Sequence, residues 1–359
     1  MTAAAAAEPG VREFLAAMPK AELHLHFEGA ILPATLLTLA RRRRVTLPAD
    51  DEEGLARWFR FDDFEHFVEI YVTISSCLRD PEDFQLALRQ IAAEQERQNV
   101  LVSELHFTIS THAFRGVNAD EVADALGETI GEERRRRGIV LGLIPDIVRN
   151  MPRERADQTL EWALAHRGRG VVALGLAGIE SWPLAPFEEH FQVAEREGLH
   201  RVVHAGEQEG AESVRAALTR CGAERIAHGI GAIEEPALVE ELAAAGVPLD
   251  VCPSSNVRLG MVPSLEEHPL GRLEEAGVTL TLGTDDPPLF ETSLNREYQQ
   301  VHRAFGLGPE RLAGIALDGV RHAFLPAEER SALETRFRAA CHELGERHLG
   351  RPVEPAVAG

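Results

Sequence analysis

Two histidines two residues apart, His24 and His26, stand in Ala21-Glu-Leu-His-Leu-His26, with Gly29 shortly after. Residues i and i+2 of a strand share a face, so both imidazoles point to one side and can share one divalent ion. Taken alone, a packed structural pair explains them as well. A second apolar run, Leu199-His-Arg-Val-Val-His-Ala-Gly-Glu207, ends on His204 and then Glu207. A ring nitrogen and a carboxylate on one turn suit a ligand and a proton carrier; alone, they also suit a histidine capped by its local glutamate. Further on, His228 closes Arg225-Ile-Ala-His228, and Asp285-Asp286-Pro287 follows Val278-Thr-Leu-Thr-Leu-Gly283. Neutral ring nitrogens with one carboxylate form a donor set for zinc that leaves a position for water. Bound zinc brings the pKa of water to about 7.

These residues need a scaffold that presents strand tips to one place. Eight apolar strand-like runs alternate with helical patterns. They begin near Ala21, Val100, Ile139, Val171, Leu199, Arg225, Pro248 and Val278, and polar residues recur at their ends. That rhythm predicts an α/β (β/α)8 TIM barrel with its chemistry at the carboxyl face. A doubly wound sheet would carry a glycine-rich phosphate turn, and none follows any strand. Residues 45–98 exceed a barrel connection and are expected to hold a helical lid, while 309–347 predict C-terminal helices. The expected organisation is a disordered tail over 1–10, one barrel domain over 11–350 and a flexible tail over 351–359.

The formal charge of −21 repels nucleic acid. No apolar run approaches the ~18 residues of a membrane span. Cys77, Cys221, Cys252 and Cys341 show no CxxC spacing, and the Ala-rich start has no basic region. A cytoplasmic protein with free thiols is expected. Lys20 is the sole lysine and precedes its strand. Its place argues against Schiff-base chemistry and a lysine carbamate bridging two metals, which both need a lysine at the site.

With these residues on the page, the chain resembles the adenosine deaminase family over 19–345. The resemblance rests on Pro19-Lys-Ala-Glu-Leu-His-Leu-His-Phe-Glu-Gly29, Leu176-Ala-Gly178, His204-Ala-Gly-Glu207, Ala227-His-Gly229, Cys252-Pro-Ser-Ser-Asn256 and Gly283-Thr-Asp-Asp-Pro287. It implies one zinc per subunit on His24, His26, His204 and Asp285. It further implies that Glu207 protonates purine N1, that His228 orients and helps deprotonate the attacking water, that Asp286 serves N7, and that the Gly178 N–H serves N3. Loss of aromaticity on attack at C6 demands that proton at N1, so Glu207 must be held protonated by a dry pocket.

The substrate is where the family pattern divides. Glu28 stands where adenosine-specific relatives carry aspartate, and in this it is similar to adenine-specific ones. Leu289-Phe-Glu-Thr-Ser-Leu294 looks more like the nucleoside enzymes. Thr111-His-Ala-Phe-Arg-Gly116 resembles members acting on nucleosides with a large 5′ substituent, such as 6-aminodeoxyfutalosine. Glu28, His112 and Arg115 are therefore candidate substrate contacts. The implied reaction is deamination of a 6-aminopurine nucleoside, with free adenine as the alternative. An ester or lactone hydrolase and a non-catalytic nucleoside binder are more distant readings.

Overall fold

Every residue is buried in six strands: β1 (Lys20–His26), β2 (Val100–Phe107), β4 (Ala173–Ala177), β6 (Arg225–His228), β7 (Leu249–Val251) and β8 (Leu280–Leu282). This is what a parallel sheet covered by helices demands. With β3 (Val140–Val148) and β5 (His200–Ala205) they pair in chain order, all parallel. The computed structural model describes residues 9–357. The ring closes through Asp285, just past β8. His26 N–H donates to the Asp285 carbonyl at 2.9 Å, and Asp285 N–H donates to the His24 carbonyl at 3.1 Å. A closed eight-stranded barrel leaves all strand tips around one mouth.

Two irregularities aim residues at that mouth. β1 carries one extra residue relative to β2 between Glu22 and Leu25. Strict alternation would put Glu22 on the face of His24 and His26. The bulge instead sends the Glu22 carboxylate to Gln95 Nε2 (2.5 Å) and Thr284 Oγ1 (2.5 Å). β3 runs on through Pro145 to Val148. Pro145, which has no N–H to give, sits where pairing passes from β2 to β4.

Residues 45–98 hold three helices, Glu52–Trp58, Phe64–Ser76 and Pro81–Arg97. The third packs along β2 and the Ala119–Arg137 helix as part of the outer ring. Asp63 caps Phe64–Ser76 by accepting from His66 N–H, and that helix borders the mouth. The stretch carrying His112 is largely the short helix Ile109–Phe114. The expected flexible tail is corrected over 351–357. Val353 is fully buried, and Gly345 has no side chain to keep it out. The Ala356 N–H donates to the Glu310 carbonyl at 2.9 Å. The expected tail at 1–10 falls largely outside the described residues, and Pro9 and Gly10 open a helix.

At the opposite end, Lys20 is buried with Nζ donating to the Met18 carbonyl at 2.8 Å. Burial pushes its ammonium down to about 7, and it takes no part in the mouth. The four cysteines are buried free thiols. No helix among the described residues is long and apolar enough to cross a membrane.

Candidate active site

The tips of β1, β5 and β8 bring His24, His26, His204 and Asp285 together. His26 Nε2 lies 3.2 Å from His204 Nε2 and 3.2 Å from Asp285 Oδ1, and His24 Nε2 lies 3.5 Å from the same oxygen. Two ligands of one tetrahedral zinc are about 3.3 Å apart when each Zn–N bond is about 2.0–2.1 Å. The ring protons are accounted for elsewhere. His24 Nδ1 donates to the Asp250 carbonyl at 3.2 Å, and His204 Nδ1 donates to the Leu176 carbonyl at 2.9 Å. Both therefore turn a bare Nε2 lone pair inward, and that of His24 is buried with no hydrogen-bond partner. These donors fit a divalent cation. Burial and neighbouring imidazoles hold His204 well below the usual histidine range, so it offers a lone pair at neutral pH. Burial works to raise Asp285, but His24 and His26 outweigh it and keep the carboxylate well below its usual range. Ser255 Oγ donates to its second oxygen at 2.7 Å. Asp285 and His228 have φ of 62° and 67°, a left-handed conformation that costs energy in non-glycine residues and gathers at functional sites.

Glu207 and Asp286 form the acid side. Burial, with Asp285 and then Glu180 nearby, pushes the Glu207 carboxyl well above its usual range. Its Oε1 is 3.5 Å from His228 Nε2 and has no hydrogen-bond partner. Burial and Asp285 raise Asp286 in the same way, and its Oδ1 is also without a partner. Gly29 permits this approach, because a Cβ there would meet Asp286 Oδ1 at 1.6 Å. Gly178 sits at the β4 tip on the cavity wall.

The other expected contacts divide. Glu28 is fully buried. It accepts from Thr108 N–H (3.1 Å), Thr108 Oγ1 (2.6 Å) and His112 Nε2 (2.9 Å) on one oxygen, and from Tyr71 OH (3.0 Å) on the other. Burial opposes its charge, but the His112 and Thr108 hydrogen bonds outweigh it and lower the carboxyl to about 2. With both oxygens engaged, Glu28 is absent from the cavity lining; Tyr71 and Thr108 stand in its place. His112, also fully buried, holds Glu28 and does not face the cavity. Both are expected substrate contacts; here they bond to each other, and neither lines the cavity. Arg115 does line the cavity, and among the described residues it has no carboxylate partner.

Sequence reasoning missed Glu180. Its carboxylate accepts from the N–H groups of Gly206, Glu207 (3.0 Å), Gln208 (2.7 Å) and Glu209 (3.1 Å), and from Ser213 Oγ. It thus fixes the turn that carries Glu207. Its only sequence signal is its place two residues after Gly178.

The cavity these residues share is about 240 Å³. Its deep end meets His26, His204, Glu207, His228, Asp285 and Asp286. Its outer end meets Phe67, Tyr71 and Val72 of the Phe64–Ser76 helix, Met151, and Arg115. A barrel whose mouth gathers three ring nitrogens and a carboxylate beside a second carboxyl held well above its usual range is that of a metal-dependent hydrolase. The adenosine deaminase family matches residues 19–340, and the chain belongs to it. It is 37% identical over 323 residues to an aminodeoxyfutalosine deaminase of Streptomyces coelicolor, covering 89% of this chain and 84% of that protein. It is 38% identical over 314 residues to an adenine deaminase of Cupriavidus necator, covering 87% and 89% respectively. The crystal structure of an adenine deaminase from Arthrobacter aurescens superposes with a TM-score of 0.85 at 30% identity, covering 89% of this chain and 98% of that one.

Proposed function

We propose that this chain, with one zinc on His24, His26, His204 and Asp285, hydrolyses the 6-amino group of a purine nucleoside, leaving the 6-oxopurine nucleoside and ammonia. The observation that carries the reading is a buried Glu207, its carboxyl pushed well above its usual range, set beside the His24–His26–His204 group with Asp285 against His24 and His26, all at one cavity. Zinc, when bound, makes water acidic and nucleophilic near neutral pH. The chain supplies the rest. Gly178 N–H and Asp286, whose carboxyl burial and then Asp285 push well above its usual range, offer donors to N3 and N7 and hold the ring flat against the β4 and β8 tips. Glu207 gives its proton to N1 as the water oxygen bonds to C6. One water proton thereby ends on N1 by way of Glu207, and the other ends on the amine as the C6–N bond breaks. His228 faces this water from the β6 tip and orients it.

Two features favour a nucleoside with a 5′ substituent. The cavity runs from the buried donors to the apolar face of the Phe64–Ser76 helix, and Arg115 stands on its wall without a carboxylate of its own. Glu28, tied to four donors, does not close the sugar space. The comparable identity to adenine deaminases favours free adenine as the second reading. Ammonia release by zinc-loaded protein on adenosine, adenine and 6-aminodeoxyfutalosine separates them. The proposal expects the 5′-substituted nucleoside to lead adenine by about a hundredfold in kcat/KM, some 2.7 kcal/mol. Preference for adenine overturns it. The same reading places the protein in the cytoplasm, where its buried thiols stay reduced.

A further inference from the structure

Behind His228 runs a chain of side chains that ends on a backbone amide. Leu270 opens the helix Leu270–Glu275, so its N–H has no carbonyl a turn earlier. It donates instead to His268 Nδ1 at 3.0 Å. His268 Nε2 lies 3.1 Å from Asn256 Oδ1, and Asn256 Nδ2 lies 3.2 Å from His228 Nδ1. All three side chains are buried, at 3% exposure or less, so water does not supply alternative partners.

The polarity of this chain is determined from one end. A backbone N–H can only donate, so His268 Nδ1 must be a bare acceptor. A neutral imidazole then carries its proton on Nε2 and donates to Asn256 Oδ1. Burial pushes the His268 imidazole down to about 4, which keeps it neutral. The Asn256 amide is thereby oriented, with its NH2 group turned to His228 Nδ1. Reversing the amide would set N–H against N–H at His268, and a buried mismatch of that kind costs about 1–3 kcal/mol. His228 Nδ1 is therefore the acceptor, and its proton sits on Nε2. That nitrogen faces Glu207 Oε1 at 3.5 Å and Asp285 Oδ2 at 4.0 Å, and the Asp285 carboxylate is an acceptor.

We infer that Asn256 and His268 are positioning residues that lock His228 as the Nε2–H tautomer, so that it presents a hydrogen-bond donor to the reacting water and not a base. His228 then stabilises negative charge on the water oxygen as it adds to C6. Glu207, having given its proton to N1, takes one proton from the water and passes it to the leaving amine, then takes the second as the C6=O bond forms, and so ends protonated as it began. The same bonds form and break as in the deamination above; only the assignment of His228 changes. Where the tautomer of a catalytic histidine is reversed, turnover falls by orders of magnitude.

The kinetic arm of the test rests on the deaminase reading, whereas the spectroscopic arm needs no substrate. Zinc-loaded protein labelled with 15N in histidine is examined by long-range 1H–15N correlation, with His228 assigned through the signal lost in His228→Asn. The expected result is a bare Nδ1 and a protonated Nε2 for His228. A proton on Nδ1 overturns the inference whatever the substrate proves to be. Asn256→Asp, nearly isosteric, puts an acceptor in front of Nδ1. It should move the proton there and lower kcat by about a hundredfold, with KM within about threefold and zinc content unchanged. An unchanged tautomer or an unchanged kcat in that variant overturns the proposal. His268→Gln keeps a donor toward Asn256 and should retain the wild-type tautomer and at least about a third of the activity. His268→Leu should give a mixed tautomer, and a retained pure Nε2–H form there counts against the lock even if Asn256→Asp does not fold.

Discussion

The barrel holds two buried polar clusters at opposite ends, and they differ in how completely they are satisfied. At the floor, Arg225 donates from Nη1 to Glu104 (2.6 Å) and to the His322 carbonyl (3.0 Å), and from Nε to Asp250 (3.0 Å). Thr281 donates to the other Asp250 oxygen (2.7 Å), and Phe324 N–H donates to Glu104 (2.6 Å) while its ring stacks on the guanidinium. At the mouth, His24 Nε2, Glu207 Oε1 and Asp286 Oδ1 are all buried without a partner. Unpaired buried polar atoms cost about 1–3 kcal/mol each. A mouth built this way is paid for only by what it binds. Asp250 joins the two ends, since its carboxylate serves the floor and its carbonyl turns His24 Nε2 toward the mouth.

That contrast can be broken from either side. The largest effect is expected at Glu207. Glu207→Gln should keep the metal and lose about 10³-fold in kcat, because an amide cannot deliver a proton to N1. Metal analysis beside ammonia release at saturating substrate checks both halves, and retention of more than about a tenth of the rate removes Glu207 as the acid. Since the protonated form is the working one, activity should fall as pH rises through the raised Glu207 pKa. Asp285→Ala should lose metal and turnover together.

Breaking the floor should do the reverse. Arg225→Met strands two buried carboxylates and should cost about 3–5 kcal/mol, read from denaturant unfolding, while kcat per folded molecule stays at the wild-type value. A kcat loss without a stability loss would erase the distinction between the two ends.

The smallest effect is expected at Glu28, a satisfied carboxylate beside the unsatisfied mouth. Its folded pKa of about 2 lies below the ordinary carboxyl value of about 4.3. Its contribution to stability is therefore present above that ordinary value and lost as pH falls through about 2. Glu28→Gln should flatten this acid limb and cost about 1–3 kcal/mol at pH 7. Unfolding midpoints at pH 7 and pH 3 in both proteins measure it.

Much of this architecture was legible in the residues. All eight strands announce themselves as apolar runs with polar tips, because each is buried on both faces and meets solvent only at its end. The mouth residues are legible as a set for the same reason, since several histidines and aspartates recurring at successive tips point to one shared site, although each alone has a structural explanation. What escaped was set by partners far away in the chain. The bulge in β1 turns Glu22 toward Gln95 and Thr284, and nothing local marks it. Glu180 and His268 act through backbone N–H groups, which any sequence supplies. His112 and Glu28 look like pocket residues until Tyr71 and Thr108, from other segments, fill their hydrogen bonds. Residues 351–357 read as a tail because the gap they fill at Gly345 belongs to a helix already called complete by its own pattern.

The most direct test strips the protein of metal and returns zinc in steps, with ammonia release from a 6-aminopurine nucleoside followed at each addition. Activity should be absent after stripping, rise linearly to one equivalent per chain and then stay flat. Turnover that survives stripping, or that needs a second equivalent, would contradict a single catalytic zinc on His24, His26, His204 and Asp285.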